Sequence, residues 1–142
     1  MLNQSMTYGV SAALSENGFT RTGYSFSGWN TAADGSGTAY AAGSTVKNLA
    51  LSGTVYLFAQ WTPNRYEIAF DPNGGEGSMD DQPMVCGVYA ALTKNAYTRT
   101  GYTFVNWNTA ADGSGTTYTN GKTVRNLATE GTVTLYAQWA KH

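Results

Sequence analysis

The stretch WNTAADGSGT occurs twice in this chain of 142 residues, first at Trp29–Thr38 and again at Trp107–Thr116. Around it, Gln4–Trp61 aligns with Gln82–Trp139 at a constant shift of 78 positions and without a gap. Of the 58 aligned positions, 38 carry the same residue in both copies. Self-similarity at a fixed offset is the sequence signature of a repeat protein. The chain is therefore predicted to contain two copies of one small unit.

The boundary between the two copies lies beside a proline. Trp61 ends the first aligned stretch, and three residues, with Pro63 in the middle, separate it from the next segment with strand character. A linker that is so short and is stiffened by proline is expected to restrict how the two units swing against each other. We assign residues 1–62 to the first repeat unit and residues 63–142 to the second.

The two copies differ at their beginning. In the second copy, apolar residues alternate along Tyr66–Asp71, which predicts an opening strand, and Pro72–Gly75 suits a turn. Met1 aligns with Met79, so the first copy begins too late to contain this strand and is interpreted as truncated. An empty strand position leaves backbone groups unpaired beside apolar side chains. We expect this open edge to be completed from outside, most simply by a second molecule in a homo-oligomer, or else to fray.

Within each unit the residue pattern predicts a strand, a second strand, a short helix and two more strands. Ala12–Asn17 and Ala90–Asn95 suit the short helix, with asparagine as its C-terminal stop. Asp112–Gly115 predicts a tight turn, and Thr123–Leu127 is expected to be a single turn or a short helical excursion. The predicted fold class is therefore α+β and rich in strands.

One face of the last strand is the same in both copies, whereas the opposite face varies. Because alternate residues of a strand point to opposite sides, the unchanged face is predicted to be the core. Truncating a buried tryptophan typically costs about 3–5 kcal/mol, which a small unit could hardly tolerate. The residues predicted to be buried are Val55, Leu57 and Trp61 in the first unit and Val133, Leu135 and Trp139 in the second.

Composition excludes several classes of function. Lys and Arg number 8 against 9 Asp and Glu, a formal net charge of -1, so we expect no nucleic-acid partner and no binding to an anionic membrane surface. Cys86 is the single cysteine and His142 the single histidine, which excludes an internal disulfide and most zinc sites. No stretch approaches the roughly 18 apolar residues of a membrane span, so membrane insertion is not expected.

The second copy resembles the Listeria–Bacteroides repeat family, which includes the B repeat of internalins. The resemblance is carried by GYTFVNWNTAADGSGTTY, TVRNL and GTVTLYAQW, together with FDPNGG at Phe70–Gly75 and the M-x-x-Q of Met79–Gln82. It implies two tandem β-grasp-like units, each a small mixed sheet with one short helix. It also implies strings of such modules in bacterial surface or secreted proteins, where they link or extend adhesive domains.

Asp34 and Asp112 are the only acidic residues that the two copies share. A calcium loop also places glycine after an acidic ligand, but its third and twelfth positions would here be Ala110 and Thr119, where acidic ligands are needed. A hairpin turn built on Asp-Gly accounts for the stretch better. Acid–base catalysis by two carboxylates would require two shared acids. We therefore expect no enzyme activity, no catalytic residue, and no metal or cofactor site.

Four residues are candidates for ligand binding, each with a structural alternative. Trp29 and Trp107 each end a strand before a polar turn and could stack on a sugar, or else lie in the core. Arg21 and Arg99, in the two TRTGY stretches, could bind an anion, but an arginine in such a place more often lies along the surface with its stem packed on an aromatic ring.

The function that these features favour is a non-catalytic spacer in a bacterial cell-surface or secreted protein, where it supports adhesion or presents a distal domain. The alternative is a module that binds a glycan or a host protein through exposed aromatic side chains. The first ten residues, MLNQSMTYGV, lack the pattern of a signal peptide. The chain is therefore either cytoplasmic or a piece of a longer exported protein, and the family resemblance implies the second, located outside the cell or in the cell wall.

Overall fold

The computed structural model describes all residues 1–142 and divides them into two compact units, Met1–Thr62 and Pro63–His142. The chain contains twelve strands and no helix. The strands are β1 (Ala12–Ala13), β2 (Tyr24–Asn30), β3 (Ala39–Tyr40), β4 (Thr45–Val46), β5 (Phe58–Pro63), β6 (Arg65–Asp71), β7 (Gln82–Val85), β8 (Ala90–Ala91), β9 (Tyr102–Asn108), β10 (Thr117–Tyr118), β11 (Thr123–Val124) and β12 (Thr132–Lys141).

The second unit is built around a mixed five-stranded sheet with the strand order β10-β9-β12-β6-β7. In its centre, β12 pairs in parallel with β6 and antiparallel with β9. β6 is internal as well, because β7 pairs with its other edge in antiparallel register. A separate two-stranded sheet joins β8 and β11. The opening strand of the second unit is therefore enclosed on both edges.

The core of the second unit is assembled on β6. Alternation along the strand places Tyr66, Ile68 and Phe70 on one face, and all three are buried. They belong to a cluster of eleven buried residues that also contains Trp107 and Leu135. Because burying one large apolar side chain contributes about 1.5–3 kcal/mol, this strand supplies a substantial part of the stability of the unit.

The first unit repeats this layout without its first two strands. Its sheet has the order β3-β2-β5, and β1 pairs with β4. Strands β1 to β4 lie 78 positions before β8 to β11, with the same lengths. β5 is an edge strand, since no other strand of the unit pairs with its free side. Only Trp29 and Val46 are fully buried among the apolar residues of the first unit, so its core is much smaller.

The predicted helices are absent, and the α+β class is wrong because the chain is all-β. Ala12–Asn17 and Ala90–Asn95 begin instead as the short strands β1 and β8. Six residues are too few to repay the cost of nucleating a helix. The backbone of this segment is hydrogen-bonded to other parts of the unit. The Leu92 N–H donates to the Lys122 carbonyl at 2.8 Å. The Gln82 side chain donates to the Ala91 carbonyl and accepts from the Thr93 N–H.

The segment Thr123–Leu127 contains a turn but no helical excursion. It begins as β11 and then reverses at Asn126, whose φ of 56° lies in the left-handed region. Asparagine tolerates this conformation because its short side chain can bond locally. Here the Asn126 Oδ1 accepts a hydrogen bond from the Gly87 N–H at 2.6 Å, which fixes the turn against the loop after β7.

The predicted core face of the last strand is buried to different depths in the second unit. Leu135 is completely buried, whereas Val133 and Trp139 are half-buried. Leu135 stands beside Phe70 in the parallel pair with β6, so the side chains of the opening strand flank the middle of this face in the core.

The same face is open in the first unit, and the prediction for Val55 is wrong. Val55 keeps 40% of its surface accessible, and Leu57 and Trp61 are half-buried. These side chains were predicted to be buried because both copies share the same pattern along the last strand. Burial also requires a neighbouring strand whose side chains pack beside them. No strand covers this end of the first unit, so Val55 faces solvent.

Candidate functional site

A single buried side chain organises the shared loop between β9 and β10. The Oδ1 of Asn108 accepts hydrogen bonds from the backbone N–H groups of Ala110 and Gly115, both at 2.9 Å. Its Nδ2 donates to the Gly113 carbonyl at 3.1 Å. Asn30 makes the corresponding bonds in the first unit. The asparagine of WNTAADGSGT therefore serves its own loop.

The shared aspartates are also used within this loop. In the second unit, Asp112 Oδ1 accepts hydrogen bonds from the Ser114 hydroxyl at 2.6 Å and from the Ser114 N–H at 3.0 Å. These bonds favour the ionised carboxylate and lower the pKa of Asp112, and Ser36 lowers the pKa of Asp34 in the same way. No three side chains of His, Cys, Asp or Glu come together in the structure.

Trp29 and Trp107 do not form an exposed pair. Trp107 is completely buried and Trp29 is 6% exposed. Phe104 and Tyr97 pack edge-on against Trp107, with ring centroids 5.1 Å and 6.2 Å away, and the indole N–H of each tryptophan has no hydrogen-bond partner. A sugar requires an accessible ring face, so the proposed stacking role for these two residues is wrong. Both lie on the core side of the strand that leads into the shared loop.

Arg21 and Arg99 lie over the tyrosine that closes each TRTGY stretch. The guanidinium carbon is 3.9 Å from the ring centroid of Tyr24 in the first unit and of Tyr102 in the second. A cation over an aromatic ring gains about 0.5–1 kcal/mol at exposed sites. The repeated geometry gives both arginines a structural partner, and their binding of an anion stays a prediction.

The opening strand of the second unit is bound through its backbone and its side chains. It forms a parallel ladder of five residue pairs with β12. The buried Tyr97 hydroxyl donates to the Phe70 carbonyl at 2.7 Å, and the Tyr66 hydroxyl accepts from the Leu127 N–H at 3.2 Å. Burial of Tyr97 raises the pKa of its hydroxyl. These bonds hold β6 at both ends.

The turn after β6 adds a second set of contacts. The Trp139 indole N–H donates to the Pro72 carbonyl at 2.9 Å, and Asn73 Nδ2 donates to the Ala137 carbonyl at 2.9 Å. A Cβ on Gly75 would lie 2.6 Å from the Trp139 ring, so this position has room only for glycine. The Pro-Asn-Gly-Gly turn therefore closes over the end of the last strand.

An open groove of about 620 Å³ lies in the first unit, and its lining residues align with residues that surround β6 in the second unit. The counterpart of β7 and the counterpart of the first half of β12 both line it. We call it the first-unit groove, and it is lined by Met1–Tyr8, Leu14, Ser15, Phe19, Trp29 and Asn48–Leu57.

Residues of the groove are exposed although their counterparts form the core of the second unit. Met6 is exposed whereas Met84 is buried, and Phe19 keeps 48% of its surface accessible against 5% for Tyr97. A concave groove of several hundred Å³ that is lined largely by apolar side chains is the usual form of a binding site. The first-unit groove is therefore the candidate functional site of the chain.

Sequence reasoning predicted the empty strand position but did not identify the residues around it. Met6 and Phe19 were not singled out, although the shift of 78 aligns them with Met84 and Tyr97. Comparing each residue of the first copy with its aligned partner could have found them. A residue whose partner lies in the core of the second unit must lie either in the core of the first unit or beside its empty strand position. The four candidate ligand-binding residues were sought among exposed aromatics and cations, and only Trp29 lines the groove.

Comparison with known proteins agrees with this repeat architecture. The Listeria-Bacteroides repeat domain matches residues 1–60 and again residues 66–138. The chain belongs to the Listeria–Bacteroides repeat family. The two matches confirm the resemblance that the sequence motifs indicated.

Two relatives come from Evansella cellulosilytica. A "Putative Gly-rich membrane protein" is 43% identical over 129 residues, which is 87% of this chain and 15% of the relative. A "Putative membrane protein" is 36% identical over 95 residues, 65% of this chain and 14% of the relative. The chain thus spans about a seventh of the length of these relatives. No solved structure matches it. The structure contains no helix with the length and apolarity to cross a membrane.

Proposed function

We propose that this chain is a non-catalytic spacer module of a bacterial cell-surface or secreted protein, where it supports adhesion or presents a distal domain. The observation that carries the proposal is the use of the shared residues. Asn108 and Asp112 bond within their own loop, Arg99 lies over Tyr102, and Trp107 is buried. What the two copies share is thus what each copy needs to fold, as expected of a module selected for its architecture.

The location outside the cell is part of the same proposal. It is supported by the family, and by relatives that are named as membrane proteins and that are far longer than this chain. A spacer of several units would hold the rest of such a protein away from the cell envelope.

Small-angle scattering on polypeptides of two and four tandem units tests the spacer proposal. If the units extend the protein, the maximum dimension should rise nearly in proportion to their number, so doubling the number should nearly double the length. A compact particle would instead grow by only about 1.3-fold in radius, because the radius of gyration scales weakly with chain length. A radius that follows this weaker rule would contradict the proposal.

A second candidate is a module that binds a glycan or a host protein through exposed aromatic rings. It is favoured by Tyr56 and Tyr89, which keep 72% and 63% of their surface accessible. A glycan array and a pull-down from host-cell extract would detect such binding. Saturable binding that is lost in Tyr56→Ala or Tyr89→Ala, with folding intact by circular dichroism, would replace the spacer proposal. The matched control is Tyr118→Phe, which changes a ring that is partly buried in the core.

A further inference from the structure

We propose that the first-unit groove is a binding site for one extended polypeptide strand, the opening strand of a Listeria–Bacteroides repeat. The strand would run parallel to β5 and pair with Thr54–Phe58. The proposal is independent of the spacer function, because it concerns what occupies this surface and not what the whole protein does. It rests on the second unit, where the corresponding slot is filled by β6.

The position of the groove defines where the strand would lie. In the second unit β6 lies between β7 and β12. The counterparts of these two strands in the first unit are residues 4–7 and 54–63, and both contribute to the lining of the groove. The open space and the strand of the other unit thus have the same neighbours.

The backbone of the groove is available for pairing. In β12 the residues that pair with β6 are Thr132–Tyr136. Of their counterparts, Thr54–Phe58, only Phe58 belongs to a strand. Added strands bind through such main-chain groups, with specificity from pockets for alternate side chains. An incoming strand would therefore extend β5 by four residues, to the length of β12.

The side chains around the groove define the sequence of the strand. In the second unit, the buried face of β6 carries a tyrosine, an isoleucine and a phenylalanine, at Tyr66, Ile68 and Phe70. The tryptophan and leucine of their core, Trp107 and Leu135, are unchanged at the aligned positions of the first unit. The groove is thus suited to an extended segment of the pattern aromatic–x–aliphatic–x–aromatic.

One residue beside the strand position differs between the two units, and this difference allows a quantitative prediction. Tyr97, whose hydroxyl bonds to the Phe70 carbonyl in the second unit, corresponds to Phe19 in the first. The first-unit groove therefore lacks one hydrogen-bond donor for its strand. A Phe19→Tyr variant would restore this donor.

A second copy of this chain is a poor source for the strand. Residues 1–142 form two positions for an opening strand but contain one such strand, β6. Donating β6 to another molecule would expose Leu135 and the rest of the core of the second unit, so an exchange fills one slot by emptying another. A net gain requires a repeat strand that is not already folded into a unit. We therefore take such a strand, from outside the two units, as the occupant.

The test is a binding measurement with the full chain and a labelled peptide of residues 65–78, RYEIAFDPNGGEGS. Fluorescence anisotropy should show one saturable site per chain. The Phe19→Tyr chain should bind about fivefold more tightly, the value of one additional net hydrogen bond. A peptide with Ile68→Asp should bind at least about tenfold more weakly, because it would bury an unpaired carboxylate. Amide exchange of Val55–Phe58 should slow when the peptide is bound.

A chain in which residues 65–78 are joined directly before Met1 serves as the occupied control. The join preserves the register, because Met1 aligns with Met79. This chain should not bind the peptide, and its Val55–Phe58 amides should be protected without it. The proposal would be overturned if the peptide did not bind the original chain and the Val55–Phe58 amides of the joined chain were unprotected. It would also be overturned if the joined chain bound the peptide as tightly as the original chain does. A concentration-dependent dimer of the original chain that excess peptide does not dissociate would assign the groove to a second copy instead.

Discussion

The ends of the two units show how the same residues adopt different structures. Thr132–Leu135 is strand in the second unit, whereas Thr54–Leu57 is irregular in the first, although three of these four residues are identical. The difference is the presence of β6, which pairs with this end of β12. Strand propensity depends strongly on neighbouring strands. In this repeat the partner strand, and not the local sequence, decides where the last strand begins.

The loop WNTAADGSGT shows the opposite behaviour. Asn30 and Asn108 are buried in both units and make the same three bonds to their own loop, and Asn108 also donates to the Gly115 carbonyl and the Thr117 hydroxyl. All partners of these asparagines lie within nine residues in the chain. Local contacts therefore survive the loss of the opening strand, and long-range contacts do not. Substitutions that act on one unit or on both separate these two kinds of contact.

The largest difference is expected for Leu135→Ala compared with Leu57→Ala. Leu135 is completely buried and stands beside Phe70 of β6, and a buried Leu→Ala change typically costs about 2–5 kcal/mol. Leu57 is half-buried beside the open groove, so its truncation should cost less than about half of that amount. Denaturant unfolding, followed by residue-resolved hydrogen exchange so that each unit is measured separately, gives both values.

A conservative change to the same residues provides the control. Leu135→Met and Leu57→Met nearly preserve volume and should each cost less than about 1.5 kcal/mol. Equal losses of stability for the two alanine variants would mean that the first unit buries Leu57 as deeply as the second buries Leu135, which would contradict the comparison.

The next largest effect is expected for Gly75→Ala. The added Cβ would lie 2.6 Å from the Trp139 ring and 2.9 Å from the Thr98 carbonyl, and overpacking of this kind typically costs about 1–3 kcal/mol. The first unit has no counterpart of this turn, so only the second unit should lose stability in hydrogen exchange. A matched control is Ser78→Ala, a change in the same connection. Loss of protection in both units would show that their stabilities are coupled.

The success of the sequence prediction follows the same division between local and distant contacts. The period of 78, the Asp-Gly turn and the opening strand β6 were predicted because adjacent residues encode them. The helix at Ala90–Asn95 was wrong, because a six-residue pattern does not reveal that Gln82 and β11 bind this backbone. Val55 was wrong for the same reason, since its burial depends on a strand far away in the fold.

A smaller effect is expected for Asn108→Ala and Asn30→Ala, slightly larger for Asn108 because only this residue also donates to the Thr117 hydroxyl. Each change removes the side chain that accepts from two loop N–H groups. One of these groups, on Gly115 in the second unit, belongs to an exposed residue, so water can replace part of what is lost. We expect a cost of about 1–2 kcal/mol per unit.

Residue-resolved exchange measures these two costs side by side. Thr119→Ala, a nearby exposed change, is the control for the second unit. If Asn30→Ala proved much less costly than its counterpart, the loop would depend on the rest of the sheet. The shared motif would then not be a local structure.

The smallest effect concerns the acid titration of Asp34 and Asp112. Hydrogen bonds from Ser36 and Ser114 lower the pKa of each aspartate in the folded state. The ionised form is therefore favoured by folding, so the small stability contribution is complete above the unfolded pKa, near 3.9. It is lost as the pH falls through the lower folded pKa. Both carboxylates are exposed, so the free energy of global unfolding should barely change between pH 7 and pH 5.

NMR titration of the carboxyl groups should give matching, lowered pKa values in the two units, and Ser36→Ala or Ser114→Ala should raise only the pKa of its own partner. Different pKa values in the unchanged chain would mean that the empty strand position reaches the shared loop, and the separation between local and distant contacts would then fail at the site where it is expected to hold best.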